Sequence, residues 1–275
     1  MTTQQILVLG GTGRTGGRIV RLLRDRGVST RVASRASSQP FDWHDPATWD
    51  AALSGCTAAY LCYSPDLAFP GVAELMARFA TRADVLGVRR LVLLSGRGEE
   101  GALASERAVM DVAEEATVVR SSWFAQNFSE NFLLGPVLRG RLVLPAGDVA
   151  EPFVDLDDLA AIAATALVDD GHAGAVYDLT GPELLSMHDV AAELSRATGR
   201  TIEYTPSSAE QFVRDVALDG VPREEAEPLA ELFETVLDGR NASLTTTVQT
   251  VLGRPATTFS EYARRAAATG VWGAR

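Results

Sequence analysis

An apolar run, Ile6-Leu7-Val8-Leu9, breaks abruptly into Gly10-Gly11-Thr12-Gly13-Arg14-Thr15-Gly16-Gly17. The stretch that follows, Arg18-Ile19-Val20-Arg21-Leu22-Leu23-Arg24, places apolar residues at helical spacing. Strand, glycine-rich turn and amphipathic helix in this order predict the first βα unit of a parallel sheet. Gly10, Gly13 and Gly16 are spaced G-x-x-G-x-x-G, and small residues there let a backbone approach a pyrophosphate. The unpaired N–H groups and positive dipole end of the helix N-terminus favour the same charge. A dinucleotide is therefore the expected ligand, with Gly10, Thr12, Gly13, Arg14, Thr15 and Gly16 as its first contacts.

The end of the second strand in such a unit reads the adenosine ribose. A carboxylate there bonds the 2′-hydroxyl of NAD, whereas an arginine accommodates the 2′-phosphate of NADP. Here Ser29-Thr30-Arg31-Val32-Ala33 leads into Ser34-Arg35-Ala36-Ser37-Ser38, with no carboxylate. Arg35 can pair with a phosphate dianion, Ser34 can hydrogen-bond it, and Arg14 can reach it from the loop. NADP(H) is the expected cofactor.

Downstream, strand-like runs alternate with helical patterns. Residues 41–46, Phe-Asp-Trp-His-Asp-Pro, are expected to close a short strand and open a helix near 47–53. Strands are expected at 57–62, 90–95 and 116–120, with helices at 72–86 and 103–114 between them. The alternation predicts an α/β protein: a doubly wound, Rossmann-type parallel sheet with helices on both faces. Ligands of such sheets bind beyond the carboxyl ends of the strands. Cys62-Tyr63-Ser64-Pro65, Ser95-Gly96-Arg97 and Ser121-Ser122-Trp123-Phe124 fall at those ends. Helices are then expected at 155–168, 190–198, 209–218, 223–237 and 259–268, and strands at 175–179 and 201–204. Ser186-Met187-His188-Asp189 has the form of a capping box ahead of the second of these helices. Residues 1–150 are expected to form the nucleotide domain. Residues 151–275 are expected to form a smaller, mostly helical substrate lobe, with elements interleaved into the first domain.

Composition narrows the function classes. The net charge of −11 argues against nucleic acid and anionic membrane as partners. No run reaches the ~18 apolar residues of a membrane span, and no signal-peptide pattern opens the chain. Cys56 and Cys62 form neither a disulfide framework nor a metal cluster, so no metal is expected and a reduced cytoplasm is the simplest setting. The cluster Asp155, Asp157 and Asp158 is expected to favour a helix N-terminus rather than a metal. A small molecule is the expected partner, with homodimer and monomer both open. All 25 basic Lys/Arg residues are arginines, which excludes a Walker lysine, a Schiff base and a Tyr-x-x-x-Lys dyad.

Several ordered segments resemble the NmrA-like, atypical short-chain dehydrogenase/reductases. They are the opening glycine loop, Val118-Val119-Arg120-Ser121-Ser122-Trp123-Phe124-Ala125-Gln126-Asn127-Phe128, Phe153-Val154-Asp155-Leu156-Asp157-Asp158-Leu159-Ala160 and Tyr177-Asp178-Leu179-Thr180-Gly181-Pro182. Arg31-Val32-Ala33-Ser34-Arg35 and Phe41-Asp42-Trp43-His44-Asp45-Pro46 are similar to bacterial relatives of the festuclavine and agroclavine dehydrogenases. The resemblance implies NADP(H) held by the glycine loop and Arg35. It implies Cys62, Tyr63 and Ser64 near the ribose and pyrophosphate, and Ser95 near the nicotinamide. It places Trp123, Phe124 and Asn127 at the substrate.

A standard short-chain dehydrogenase relies on a tyrosine whose proton quenches the developing alkoxide. Its tyrosine and lysine positions match Ala102 and Glu106, so that donor is missing. An iminium ion becomes a neutral amine on accepting hydride and needs no acid. A quinone or enone delocalises the charge. The expected activity is hydride transfer from NADP(H) to such an acceptor, aromatic or polycyclic and plausible in secondary metabolism. Ser95 is the expected orienting donor and Tyr63 a second candidate. The alternatives are a non-catalytic NADP(H) sensor and a non-redox isomerase or dehydratase.

Overall fold

The computed structural model describes residues 5–35, 37–218 and 220–273. Ala36, in the segment expected to follow the second strand, lies outside the described residues. The strands are β1 (Gln5–Leu9), β2 (Ser29–Ala33), β3 (Ala58–Leu61), β4 (Arg90–Gly96), β5 (Glu115–Ser121), β6 (Arg141–Leu144), β7 (Val176–Leu179) and β8 (Glu203–Pro206). The helices are α1 (Arg14–Asp25), α2 (Trp49–Leu53), α3 (Val72–Val85), α4 (Glu100–Met110), α5 (Asn127–Glu130) and α6 (Leu134–Arg139). They continue with α7 (Leu156–Val168), α8 (Met187–Thr198), α9 (Ala209–Ala217), α10 (Arg223–Val236), α11 (Thr247–Leu252) and α12 (Phe259–Ala268).

Met1–Ser121 and Leu156–Leu179 make one compact unit, and Ser122–Asp155 with Thr180–Arg275 make another. The chain therefore leaves the first unit after β5 and returns to it with α7 and β7. The sequence places the division at residue 150, with interleaved elements.

The first unit carries a six-stranded, wholly parallel sheet in the order β2-β1-β3-β4-β5-β7. Its inner strands are apolar on both faces because helices cover both: Ile6, Leu7 and Val8 are fully buried, as are Leu91, Val92 and Leu93. β2 is an edge strand and is only half-buried, which lets it carry Thr30 and Arg31. α1 turns Ile19, Val20 and Leu23 inward at helical spacing, and burying each such side chain contributes roughly 1.5–3 kcal/mol. It packs on α7, whose run of small buried residues, Ala160, Ala163 and Ala164 among them, permits close approach. Arg18 Nε donates to Asp157 Oδ1 at 2.9 Å and ties the start of α1 to the first turn of α7.

The second unit pairs β6 with β8 in parallel and surrounds them with helices. An aromatic core fills it: Phe128, Phe153 and Phe259 meet edge to face, and Phe212 meets Phe233. The polar ends of buried aromatics are satisfied, since Trp272 Nε1 donates to Phe128 O at 2.8 Å and Tyr262 Oη to Ser129 Oγ at 2.8 Å. α8 starts with the expected capping box of Ser186 and Asp189. No helix among the described residues is long and apolar enough to cross a membrane.

Three expectations about elements are corrected. Residues 41–46 form no strand. Asp42 Oδ1 accepts from His44 N at 2.9 Å and Asp45 Oδ1 from Ala47 N at 3.1 Å, so these side chains fold the backbone into turns. The strand expected at 201–204 is displaced to Glu203–Pro206, where its backbone finds β6. The helix expected at 103–114 runs from Glu100 to Met110. Helices α5, α6 and α11 and strand β6 have no counterpart in the sequence expectations.

Candidate functional site

The order of the sheet reverses between β1 and β3, the neighbours from which later strands run to one side and β2 to the other. Crevices for ligands open beyond the carboxyl ends of strands at such a switch point. The glycine loop sits there. Gly10 has φ of +62°, a left-handed conformation that an L side chain resists. Its N–H donates to Ala33 O at 3.0 Å, tying the loop to the end of β2, and its carbonyl accepts from Gly13 N at 2.8 Å. A Cβ on Gly16 would meet Gly10 C at 2.7 Å and Gly11 Cα at 2.8 Å, and one on Gly11 would meet Val32 Cγ1 at 2.9 Å. The helix can thus press against the loop only while these residues lack side chains.

α1 begins at Arg14 with Gly13 as its cap, no side-chain cap bond and no acidic residue in its first turn. The positive end of the helix dipole there favours an anion. Thr12 and Gly13 are exposed at the lip, Arg14 is half-buried and Thr15 is buried. Thr15 Oγ1 approaches Cys62 Sγ at 4.0 Å, so the first turn of α1 touches the end of β3. Burial pushes the Cys62 thiol upward, which keeps it protonated and unreactive at neutral pH. Tyr60, which the sequence does not single out, lies wholly buried on β3 near Thr15 and Cys62, and burial holds its hydroxyl well above the usual phenol range.

At the end of β2, Arg35 is exposed, with no ion pair recorded among the described residues. The Ser34 hydroxyl is buried without a hydrogen-bond partner among the described residues. An orphaned hydroxyl beside an exposed guanidinium, next to a cradle that any Cβ would fill, fits a phosphorylated dinucleotide.

Beyond β3, Tyr63 is half-buried against Trp43, and its hydroxyl lies 3.4 Å from His44 Nε2. Desolvation raises its pKa, making the phenol a weaker acid than in water. Ser64 is exposed.

Near the end of β4 the sequence assigns a role to Ser95. Its hydroxyl is buried and donates to Glu106 Oε1 at 2.6 Å. The same carboxylate takes two bonds from Arg120, from Nε at 2.9 Å and from an Nη. Arg120 also lies 3.5 Å from Asp178. Glu106 is therefore a buried hub, and the Ser95 proton is committed to it. What Ser95 offers a ligand is oxygen lone pairs, so the expectation that it acts as an orienting donor gives way to an acceptor's role in this conformation.

Glu99, also unforeseen, folds back over Gly96, where a Cβ would collide with its carboxyl group. Burial, then the charge and hydrogen bond of Asp66 and the charge of Glu106, push its pKa up to about 8. No sequence pattern marks it, because its partners lie on separate segments.

In the second unit, Trp123 is half-buried and stacks on Phe233 with ring centroids 4.8 Å apart. Trp123 O accepts from Val154 N and Val154 O from Ala125 N, both at 2.9 Å, which fixes the segment that carries Phe124. Asn127 is buried at the start of α5. Asp155 accepts from Gln126 Nε2 at 3.0 Å and pairs with Arg265. No group of three potential metal ligands occurs among the described residues.

No family model matches the chain. The NAD(P)H azoreductase of Xenophilus azovorans is 30% identical over 286 residues, covering 96% of this chain and 98% of that protein. The agroclavine dehydrogenase of Claviceps fusiformis is 32% identical over 278 residues, covering 94% and 95%. The fold is shared with Citrobacter sp. triphenylmethane reductase complexed with NADP(H), at a TM-score of 0.78 and 22% identity, covering 95% of this chain and 99% of that one.

Proposed function

The chain belongs to the NmrA-like, atypical short-chain dehydrogenase/reductase family, and from that premise we propose that it transfers hydride from NADPH to a small, charge-delocalising or cationic acceptor. It is an oxidoreductase and NADP(H) is its cofactor. Bound in this family's manner, the reduced nicotinamide supplies the hydride.

The chain's own residues hold and aim the dinucleotide. Gly10, Thr12, Gly13, Arg14, Thr15 and Gly16 meet the pyrophosphate, with the backbone N–H groups of the first turn of α1 directed at its charge. Arg35 and Ser34 meet the 2′-phosphate. Cys62, Tyr63 and Ser64 flank the ribose, and Ser95 accepts a hydrogen bond at the nicotinamide end. Trp123, Phe124 and Asn127 are the residues assigned to the substrate.

The observation that carries the choice of acceptor is the wall formed by α4. It presents buried Ala102 and Glu106 in place of a tyrosine and a lysine, with Glu106 bound to Ser95 and Arg120. A simple ketone needs an acid for its localised alkoxide, and this wall has no phenol to give one. Iminium ions, quinones and azo or enone groups spread or lack that charge. Holding them against the nicotinamide then supplies much of the acceleration, for which proximity allows up to about 7–11 kcal/mol.

The test is NADPH consumption against cyclic iminium ions, quinones, azo dyes, enones and simple ketones, with NADH in parallel. The expected result is turnover of several charge-delocalising acceptors with NADPH preferred, and little turnover of ketones. Ketones reduced as fast as quinones would contradict the reading. So would tight NADPH binding without consumption by any acceptor, which would favour a sensor.

A further inference from the structure

We propose that Glu99 is the proton donor for neutral acceptors that delocalise the developing charge, such as quinones and enones. The assignment rests on the hydride-transfer reading above.

Position is the first argument. A dinucleotide with its adenosine half at the end of β2 and its pyrophosphate at the loop after β1 extends its other half toward β3 and β4. Glu99 stands on that side, three residues beyond the end of β4. Its side chain returns over Gly96, the residue after Ser95, and occupies the space a Cβ would take. The carboxyl group thus lies against the carboxyl end of β4 at Gly96.

Surroundings are the second. Asp66 comes from the loop after β3, braced by the bond from Ala68 N to its Oδ1 at 2.8 Å. It hydrogen-bonds the Glu99 carboxyl. Glu106 faces it from α4, its own charge bound to Arg120 of β5. The N-terminus of α4 favours the carboxylate, but the Glu99 side chain makes no cap bond there. Burial and the two like charges prevail, and the proton stays on at neutral pH. An acid with a pKa of about 8 is matched to working pH far better than the Tyr63 phenol, which is raised above its usual 10.

The step balances simply. A neutral conjugated acceptor gains hydride at one end of its conjugated system, and the reduced dinucleotide is thereby oxidised. The oxygen that collects the resulting negative charge takes the proton from Glu99, which becomes a carboxylate and is reprotonated by water. A cationic acceptor becomes neutral on gaining hydride alone and makes no use of Glu99.

The experiment compares wild type with Glu99→Gln on two acceptors, a quinone and a triarylmethyl cation, each with NADPH. General acids contribute about 10²–10⁴-fold, so the ratio of quinone rate to cation rate should fall by about 10²-fold. A second readout uses the protein without cofactor. An acid whose folded pKa is about 8 against an ordinary 4.5 makes the native state less stable as pH rises through that window. Wild-type Tm should therefore fall relative to that of Glu99→Gln between about pH 4.5 and 8, and the gap should level off above it. In Asp66→Asn, the alkaline limb of quinone reduction should move to lower pH. An unchanged rate ratio, a Tm gap independent of pH, or a limb unmoved in Asp66→Asn overturns the donor assignment while leaving the reductase reading intact. If wild type reduces neither acceptor, the reductase reading itself is overturned and the assignment falls with it.

Discussion

Replacing Glu106 by alanine lowers the unfolding free energy by about 3 kcal/mol, near the bottom of the range for a broken buried ion pair. The loss arises because Glu106 is 3% exposed and is the shared acceptor of Ser95 and Arg120. Without it, the Ser95 hydroxyl is buried with no acceptor and Arg120 keeps only Asp178, at 3.5 Å. That residual pair, and the 22% exposure of the Arg120 side chain, set the figure at the lower end. Ser95→Ala, which removes one hydrogen bond to a charged group, should cost roughly 1.5–3 kcal/mol less the hydroxyl's own burial cost. Urea unfolding of the two variants checks the order, and a Glu106→Ala protein as stable as wild type would remove Glu106 from the centre of this network.

A single methyl group at Gly16 should abolish most cofactor affinity and destabilise the protein, while the same change at Gly17 should be tolerated. In an ordinary helix, Gly→Ala stabilises by about 0.5–1 kcal/mol. At Gly17 the nearest atom to an added Cβ is 3.7 Å away, so that gain should appear. At Gly16 the Cβ would meet Gly10 C at 2.7 Å and Gly11 Cα at 2.8 Å, both backbone atoms with no rotamer to yield. α1 must then lift from the loop, at an overpacking cost of about 1–3 kcal/mol. The N–H groups that meet the pyrophosphate lift with it, and NADPH affinity should fall by about 10²-fold or more, since misplacing a site by an ångström costs on that order. Urea unfolding and NADPH titration of the two variants separate the sites. Equal behaviour of Gly16→Ala and Gly17→Ala would mean that loop and helix are not pressed together as described.

Most of the first unit was legible because its signals are local. The continuous apolar runs of β1, β3 and β4 and the helical spacing of α1 each sit within one segment, and burial on both faces leaves no other use for them. The capping box of Ser186 and Asp189 marked the start of α8 by the same logic. Residues 41–46 misled because aromatic and polar residues alternate there as in a half-buried strand. Phe41 and Trp43 do pack on Phe79, yet Asp42 and Asp45 spend their carboxylates on nearby backbone N–H groups and curl the chain. β6 was hidden because four residues, Arg141–Leu144, carry little pattern of their own and become a strand only against distant β8.

The candidate site divides the same way. The loop residues and Arg35 are assigned from motif and position, since the chemistry proposed for them lies in the segment itself. Glu106 was visible only as the residue standing where a lysine is usual, and its bonds to Ser95 and Arg120 required the fold. Glu99 gave no signal at all. Its raised pKa comes from burial and then from Asp66 and Glu106, groups that sequence spacing does not bring together.

The most direct test of the central claim follows the hydrogen itself. NADPH deuterated at the transferable position of the nicotinamide, on either face in turn, is mixed with the protein and a cyclic iminium ion, and the amine product is weighed by mass spectrometry. The account predicts one deuterium on carbon from one face and none from the other, because a protein that aims the nicotinamide delivers hydride from a single side. A product formed without deuterium from either face, or tight binding of labelled NADPH with no amine formed from any iminium or quinone, would contradict it.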